Sequence, residues 1–455
     1  METLTAPLNI EDEYSQIFQE NIDLLTKETS SFIAQKRIEA MEAFRILGIP
    51  NKKNENYKYT DLQPFFKNSF RKKLIPKNIT FKLDDIFRCD IPELQSDVEI
   101  VLNGHYYETT VSAKNYGQGI IVGSLAQGAL QYPDIFRKHF GHYADYTKDG
   151  LVALNTALAS DGLFLYVPKG KHLEKPMQVI NLLMSDEPHF VQQRNLIILE
   201  EGASASLVIC DHTLSPEKFL GNNLTEIYAG PGSHLDITRL QNEHNGASQV
   251  NSQFITQDSN SHVTLNTITL HGGMVRNNLY VKLDGEGAEN FAHGLFLTDS
   301  GQHIDTYTFI DHAKPNCTSY QHFKGVLDDF STGAFNGRIL VRRDAQKTLA
   351  YQKNNNLLLT NDAKMNSKPQ LEIYADDVKC SHGATMGQLN KEAMFYMYSR
   401  GIGKEEARML LMNAFASEII EKIKVVPIRE RIDELVGKRL RGELSRCHNC
   451  AMHCC

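Results

Sequence analysis

Four short runs of small and polar residues recur along the middle of the chain at nearly equal intervals. Glu201-Gly202-Ala203-Ser204 precedes Leu207-Val208-Ile209, and Pro231-Gly232-Ser233-His234 precedes Leu235-Asp236-Ile237. Asn260-Ser261-His262 precedes Val263-Thr264-Leu265, and Glu286-Gly287-Ala288-Glu289 precedes Phe291. Residues 202, 232, 260 and 287 are 30, 28 and 27 positions apart. A turn followed by β-formers at one period is what stacked coils require. A single coil cannot bury its inner face alone, so neighbours stack and share one elongated core. A β-sandwich also has many short strands with Gly turns, but the repetition of turn composition favours the solenoid.

The rest of the chain frames this body. Val98–Leu102, Phe164–Val167, Met177–Ile180 and Leu196–Leu199 are further β-rich runs bounded by turn residues. No helical pattern interrupts the stretch from Asn195 to Arg343, which argues against parallel strands joined by helices there. Before it, Ala34, Ile38, Met41 and Phe44 recur at helical spacing, closed by Gly48 and Pro50. After it, Asn390 is an N-cap for Lys391–Arg400, and Gly401 a stop. Ala407, Leu410, Leu411, Ala414 and Phe415 form an apolar stripe, Pro427 breaks the run, and Ile428–Leu435 is a last helix. The expected fold is mainly β with flanking α. A helical domain spans 1–95, a β-solenoid core 96–388, a helical domain 389–446 and a Cys/His-rich tail 447–455.

Composition narrows the function classes. At about 150 residues per domain, 455 residues allow roughly three domains, though one elongated repeat domain can absorb much of that length. A formal charge of −7 argues against bulk nucleic-acid binding. No uncharged apolar run approaches the ~18 residues of a spanning helix, which argues against a membrane protein. The acidic start Met1–Glu13 and the scattered Cys89, Cys210, Cys317 and Cys380 point to a reduced, cytoplasmic setting in which thiols are available for metal or sulfur chemistry. The basic stretch Lys67, Arg71, Lys72, Lys73, Lys77 and Lys82 is expected to be a solvated face, with a docking patch as the rival reading.

Chemistry-bearing residues are few. Cys380 and His382, two apart on an extended strand, point to one side and together could bind a soft metal or carry sulfur. His303, Asp305 and His312 could suggest a metal site, but a structural, hydrogen-bonded role is the expectation. In the tail, Cys447, Cys450, Cys454 and Cys455 have the ligand density of a metal site, but adjacent cysteines fit one tetrahedral centre awkwardly, and a thiol-rich tail is the competing reading.

The segment Leu371–Thr385, which ends Lys379-Cys380-Ser381-His382-Gly383-Ala384-Thr385, is joined by Gln302–Asp305, Asp311–Pro315, Phe323–Asp328, Ala345–Thr348, Leu357–Leu359 and Ser399–Gly401. Together these motifs resemble the SufB/SufD family of the SUF iron–sulfur cluster assembly system. Glu55–Leu62 resembles an amino-terminal motif of the SufD branch, with Tyr57 where Trp is usual. The resemblance implies a right-handed parallel β-helix between helical domains. It implies pairing with a SufB-like chain through the β-helices, and SufC, an ABC-type ATPase, docked on the carboxy-terminal helices Lys391–Arg400 and Lys404–Lys422. It places His382, with Cys380 beside it, at the SufB–SufD interface, where iron is acquired and a nascent Fe–S cluster assembles as cargo. Asn354-Asn355-Asn356 stand where SufB carries a working cysteine, which favours an interface-completing subunit over a principal scaffold. The chain has no Gly-x-x-x-x-Gly-Lys-Ser/Thr loop, so ATP binding would belong to the partner and this subunit would not be an enzyme. A reduced flavin in the complex, a homodimer formed without SufB and a self-pairing SufB-like scaffold stay open. A β-helix carbohydrate-active enzyme using Asp328-Asp329 or Asp376-Asp377 is the remote alternative.

Overall fold

The computed structural model describes residues 9–27, 29–67, 70, 74, 94–107 and 114–443. The expected mainly β solenoid is what the chain forms. Successive strands join two sheets alternately, so that each coil adds one strand to each. The first sheet runs from Asp97–Leu102 through Met177–Leu183, Ser204–Thr213, His234–Asn242, His262–His271, Glu289–Thr298, Thr318–Leu327 and Thr348–Leu358 to Val378–Gly387. The second runs from Ile121–Ser124 and Leu163–Val167 to Thr332–Val341 and Lys364–Ile373. The stacked strands are parallel and joined by turns. Between the sheets lies one continuous core that includes Leu207, Ile237, Val263, Ile304, Ile339 and Ala350.

The repeated turn has a conformational cause. Gly202, Gly232, Asn260, Gly287, Asn316 and Lys347 all have φ between 53° and 71°. Each donates its backbone N–H to the turn of the next coil: Gly202 to Pro231 O, Gly232 to Ser259 O, Asn260 to Glu286 O, Gly287 to Pro315 O, Asn316 to Gln346 O and Lys347 to Asp377 O. The left-handed region suits Gly and, next best, Asn, so turn chemistry repeats with the coil. In register with it, Ser204, His234, His262 and Glu289 stack as Cα partners, reproducing the intervals of 30, 28 and 27 residues. Nothing lies within 4 Å of where a Cβ on Gly232 would sit. Gly232→Val is therefore expected to cost on the order of 1–2 kcal/mol from backbone strain alone, read as a lower urea midpoint. Gly232→Asn should keep most of the stability, because Asn260 fills the same role one coil later.

Two groups of helices lie on the outer faces of the solenoid. Ile10–Glu20, Ser31–Leu47 and Gly150–Leu158 bury Tyr14, Phe18, Phe44 and Leu154 with Leu220, Val250 and Met274 of the second sheet. Lys404–Ile420 and Val426–Leu440 bury Met412, Ile419 and Ile432 against Leu240, Ile268 and Leu295 of the first sheet.

Several sequence expectations change in detail. Leu125–Gln131, Pro133–His139 and Gly150–Leu158 are helices inside the stretch expected to be β. Every residue of Gly150–Leu158 is buried, so it lacks the polar face that makes a helix periodic in sequence. In Ser31–Leu47 the buried residues are Ile33, Arg37, Ala40, Met41 and Phe44, which leaves Ile38 exposed. In Lys404–Ile420 they are Ala407, Met412, Ala416, Ile419 and Ile420, with Leu410 and Ala414 exposed. Asn390 does cap Lys391–Ser399, its side chain accepting from the N–H groups of Glu392 and Ala393. Pro427 sits in the first turn of Val426–Leu440, where it starts the helix.

Candidate functional site

The two ends of the solenoid are built differently. At the start, His105–Tyr106 pairs antiparallel with Asp97–Leu102, and Ile121–Ser124 runs antiparallel to both Lys114–Asn115 and Leu163–Val167. These strands cap the stack. At the other end, Lys364–Ile373 and Val378–Gly387 each pair on one side only among the described residues. Pro369 is tolerated in the first of them because an edge strand does not need every N–H. An unpaired edge strand presents backbone N–H and C=O groups that a further strand could use.

Cys380 and His382 lie on this last rung. Cys380 is the Cα partner of Ala350, and His382 of Gln352. Ala350, Gln352, Asn354 and Asn356 are all buried on the inward face of their strand, so Cys380, His382, Ala384 and Met386 share the side that roofs the interior. Cys380 is half-buried and packs against the core cluster. Burial raises its thiol pKa, offset in part by a backbone hydrogen bond from Ala350, so the isolated chain holds it as a thiol. His382 is exposed, and its side chain makes no hydrogen bond among the described residues. The structure therefore brings the pair onto one open face but gives the two residues different environments.

Beneath His382 the interior is polar. Gln352 and Gln321 occupy successive positions of the same column, both fully buried and with neither amide atom partnered. Asn356 donates to Asn354 Oδ1 at 2.8 Å, and its own Oδ1 is unpaired. Phe296, Phe323 and Phe335 lie below in the core. Deeper still, a cavity of about 40 Å³ is lined in part by Arg239, Asn251, Thr267 and Asn277. Arg239 donates to Asp211 Oδ2 at 2.6 Å and to Asn251 Oδ1 at 2.9 Å. Nearby Glu243 is pushed up to about 8, first by burial and then by Asp211. The amide column escaped sequence reasoning, yet a signal existed: positions 321, 352 and 382 are 31 and 30 residues apart, the period of the coil.

The other candidates resolve into structural roles or fall elsewhere. His303 lies between Thr60 Oγ1 at 2.8 Å and Thr332 Oγ1 at 2.7 Å. Asp305 is ion-paired with Arg276, and His312 Nε2 meets Ser319 Oγ at 2.8 Å. Asp328-Asp329 and Asp376-Asp377 sit in turns rather than strands, and Asp328 is paired with Arg408 at 3.3 Å. No cluster of three or more His, Cys, Asp or Glu suited to a metal occurs among the described residues. The tail cysteines Cys447, Cys450, Cys454 and Cys455, and the basic stretch apart from Lys67, lie outside those residues. No helix among them is long and apolar enough to cross a membrane.

Two further surfaces frame the site. Helix Lys391–Ser399 follows directly on the open rung and has no buried residue; Phe395 is 72% and Tyr396 59% exposed. On the outer face of the second sheet, a cleft of about 570 Å³ lies between the sheet and the 142–149 loop, with Phe254, Tyr280 and Phe309 on its floor.

Two histidines, His293 and His312, are also buried. Burial depresses His293, to about 4, with Lys422 adding to the effect, and depresses His312 to about 3. The unfolded chain takes up these protons near 6.5, whereas the folded chain refuses them until much lower pH. Their contribution to stability is thus intact above about pH 6.5 and is lost as pH falls toward 4. A pH series of thermal midpoints should decline through that window, and His293→Gln should flatten part of the decline.

The fold and the site together define a class: a parallel β-solenoid capped by antiparallel strands at its start and, among the described residues, unpaired at its last rung, which carries a thiol and an imidazole. Residues 182–415 match the family model for the SufBD core domain of SUF-system FeS cluster assembly, and residues 8–179 that for the SufBD N-terminal region. The chain belongs to the SufBD family of iron–sulfur cluster assembly proteins. Over 405 residues it is 29% identical to the iron–sulfur cluster assembly protein SufD of Escherichia coli, covering 87% of this chain and 90% of that one. It is 27% identical over 418 residues to a SufBD family protein of Synechocystis, covering 90% and 91%. Against Bacillus subtilis it is 24% identical to SufD over 449 residues, covering 96% of this chain and all of that one, and 25% identical to SufB over 414 residues, covering 87% of each. Overall identity therefore does not separate the two branches.

Proposed function

We propose that this chain is the SufD-type subunit of a SUF assembly complex. It pairs with a SufB-type chain through its open rung, docks the SufC-type ATPase on its carboxy-terminal helices and helps assemble a nascent Fe–S cluster at the seam. The observation that carries this reading is the uncapped strand Val378–Gly387, with His382 exposed on it. A neutral imidazole there can ligate iron and release it again, as transient cargo requires. Buried Asn354 and Asn356 leave no thiolate on the preceding rung to accept sulfur, so the sulfur-carrying role falls to the partner. The apolar side chains of Lys391–Ser399 offer a docking face next to the seam. ATP-driven movement of the docked helices would act on this rung through the short link between them, by stabilising one of two states. The subunit would turn over no substrate of its own.

The test is co-expression with SufB- and SufC-type partners, followed by pull-down and by iron, sulfide and flavin analysis. A stable ternary complex whose iron and sulfide depend on this chain supports the proposal. A chain that stays alone, or that builds a cluster by itself and loses it on Cys380→Ser, favours the self-pairing scaffold instead.

A further inference from the structure

The amide column under the open rung is the strongest unexplained feature of the molecule. Buried side-chain amides are normally hydrogen-bonded, and leaving one unpaired is costly. Gln352, at 1% exposure, nevertheless leaves both its Nε2 and Oε1 unpartnered, as does Gln321 one coil below. Space for Gln352 is made on the opposite sheet: a Cβ on Gly337 would come within 2.3 Å of its Nε2. Glycine within a strand marks such close approaches. The residue directly above Gln352 in the register is His382. An imidazole there can use either end of an amide, accepting at one ring nitrogen or donating from the other. When a histidine binds a metal, the partner of its second nitrogen sets the tautomer and the ring orientation.

We infer that Gln352 is a positioning residue for His382. Its amide, directly or through an ordered water held with Gln321, hydrogen-bonds one ring nitrogen and so fixes which nitrogen faces the seam. The importance of this for cluster assembly rests on the proposed role of His382, but the coupling itself can be read without any metal. Histidine-selective ¹⁵N NMR of the full chain, with the His382 ring signals assigned by their loss in His382→Ala, reports which nitrogen carries the proton. Gln352→Met keeps the length of the side chain and removes both polar atoms. Gly337→Ala leaves Gln352 and His382 intact and pushes the amide out of its cradle. Both variants should shift the tautomer balance of His382. In the ternary complex Gln352→Met should lower iron and sulfide retention about 10-fold at unchanged pull-down. Folded variants with unaltered His382 ring signals would overturn the inference. Normal cluster supply in His382→Ala cells would instead sink the proposed function and leave the amide–imidazole coupling standing, so the two failures are distinguishable.

Discussion

Replacing His382 with Ala should leave the complex intact and cut cluster formation in cells by about tenfold or more, the scale on which metal-site groups act. The two halves of that expectation have separate causes. The His382 side chain is exposed, on an edge strand, and makes no hydrogen bond among the described residues, so its removal disturbs little packing. Substitutions of that kind usually change stability by no more than about 0.5 kcal/mol. Pairing along the rung would use the backbone groups of Val378–Gly387, which the substitution keeps. What would disappear is the imidazole proposed as an iron ligand. Size-exclusion of the co-expressed complex, alongside the activity of Fe–S enzymes in cells carrying only the variant, measures both. Undiminished Fe–S enzyme activity would remove His382 from the mechanism. Loss of the complex would make it an interface residue only.

Arg276→Met should destabilise the chain by about 3–5 kcal/mol, the usual result of leaving one partner of a buried ion pair without the other. Arg276 is buried against Asp305. It donates to Asn56 O at 2.7 Å and to Asn278 Oδ1 at 2.9 Å, and its guanidinium lies 4.0 Å from the Tyr57 ring centre. Thr60 hydrogen-bonds both Asp305 and His303, and Glu55 pairs with Lys368. These contacts account for the motif Glu55–Leu62: it straps the amino-terminal segment onto the outer face of the second sheet. The Tyr57 ring lies against the guanidinium in a cation–π contact. A single substitution should therefore lower the urea midpoint and open the 55–62 segment to protease. Adding Asp305→Leu should restore part of the loss, since the orphaned charge goes with it. A single variant as stable as the parent would show that the strap does not depend on this pair.

The sequence by itself determined the coil. Left-handed turns favour Gly or Asn, a preference met at five of the six coil turns, with Lys347 at the sixth, and written locally. The same logic made Asn390 legible as a cap and Gly401 as a stop, because capping involves only near neighbours. Cys380 and His382 could be placed on one side of one strand for the equally local reason that side chains alternate. Three things were decided only by the tertiary structure. Helix Gly150–Leu158 is buried all round and carries no periodic signature. The buried stripes of Ser31–Leu47 and Lys404–Ile420 depend on which sheet face each helix meets, and so departed from the apolar pattern. The column Gln321–Gln352–His382 exists only because strands some 30 residues apart stack in register; sequence shows the interval, but stacking alone turns three distant polar residues into one line that ends at an open edge.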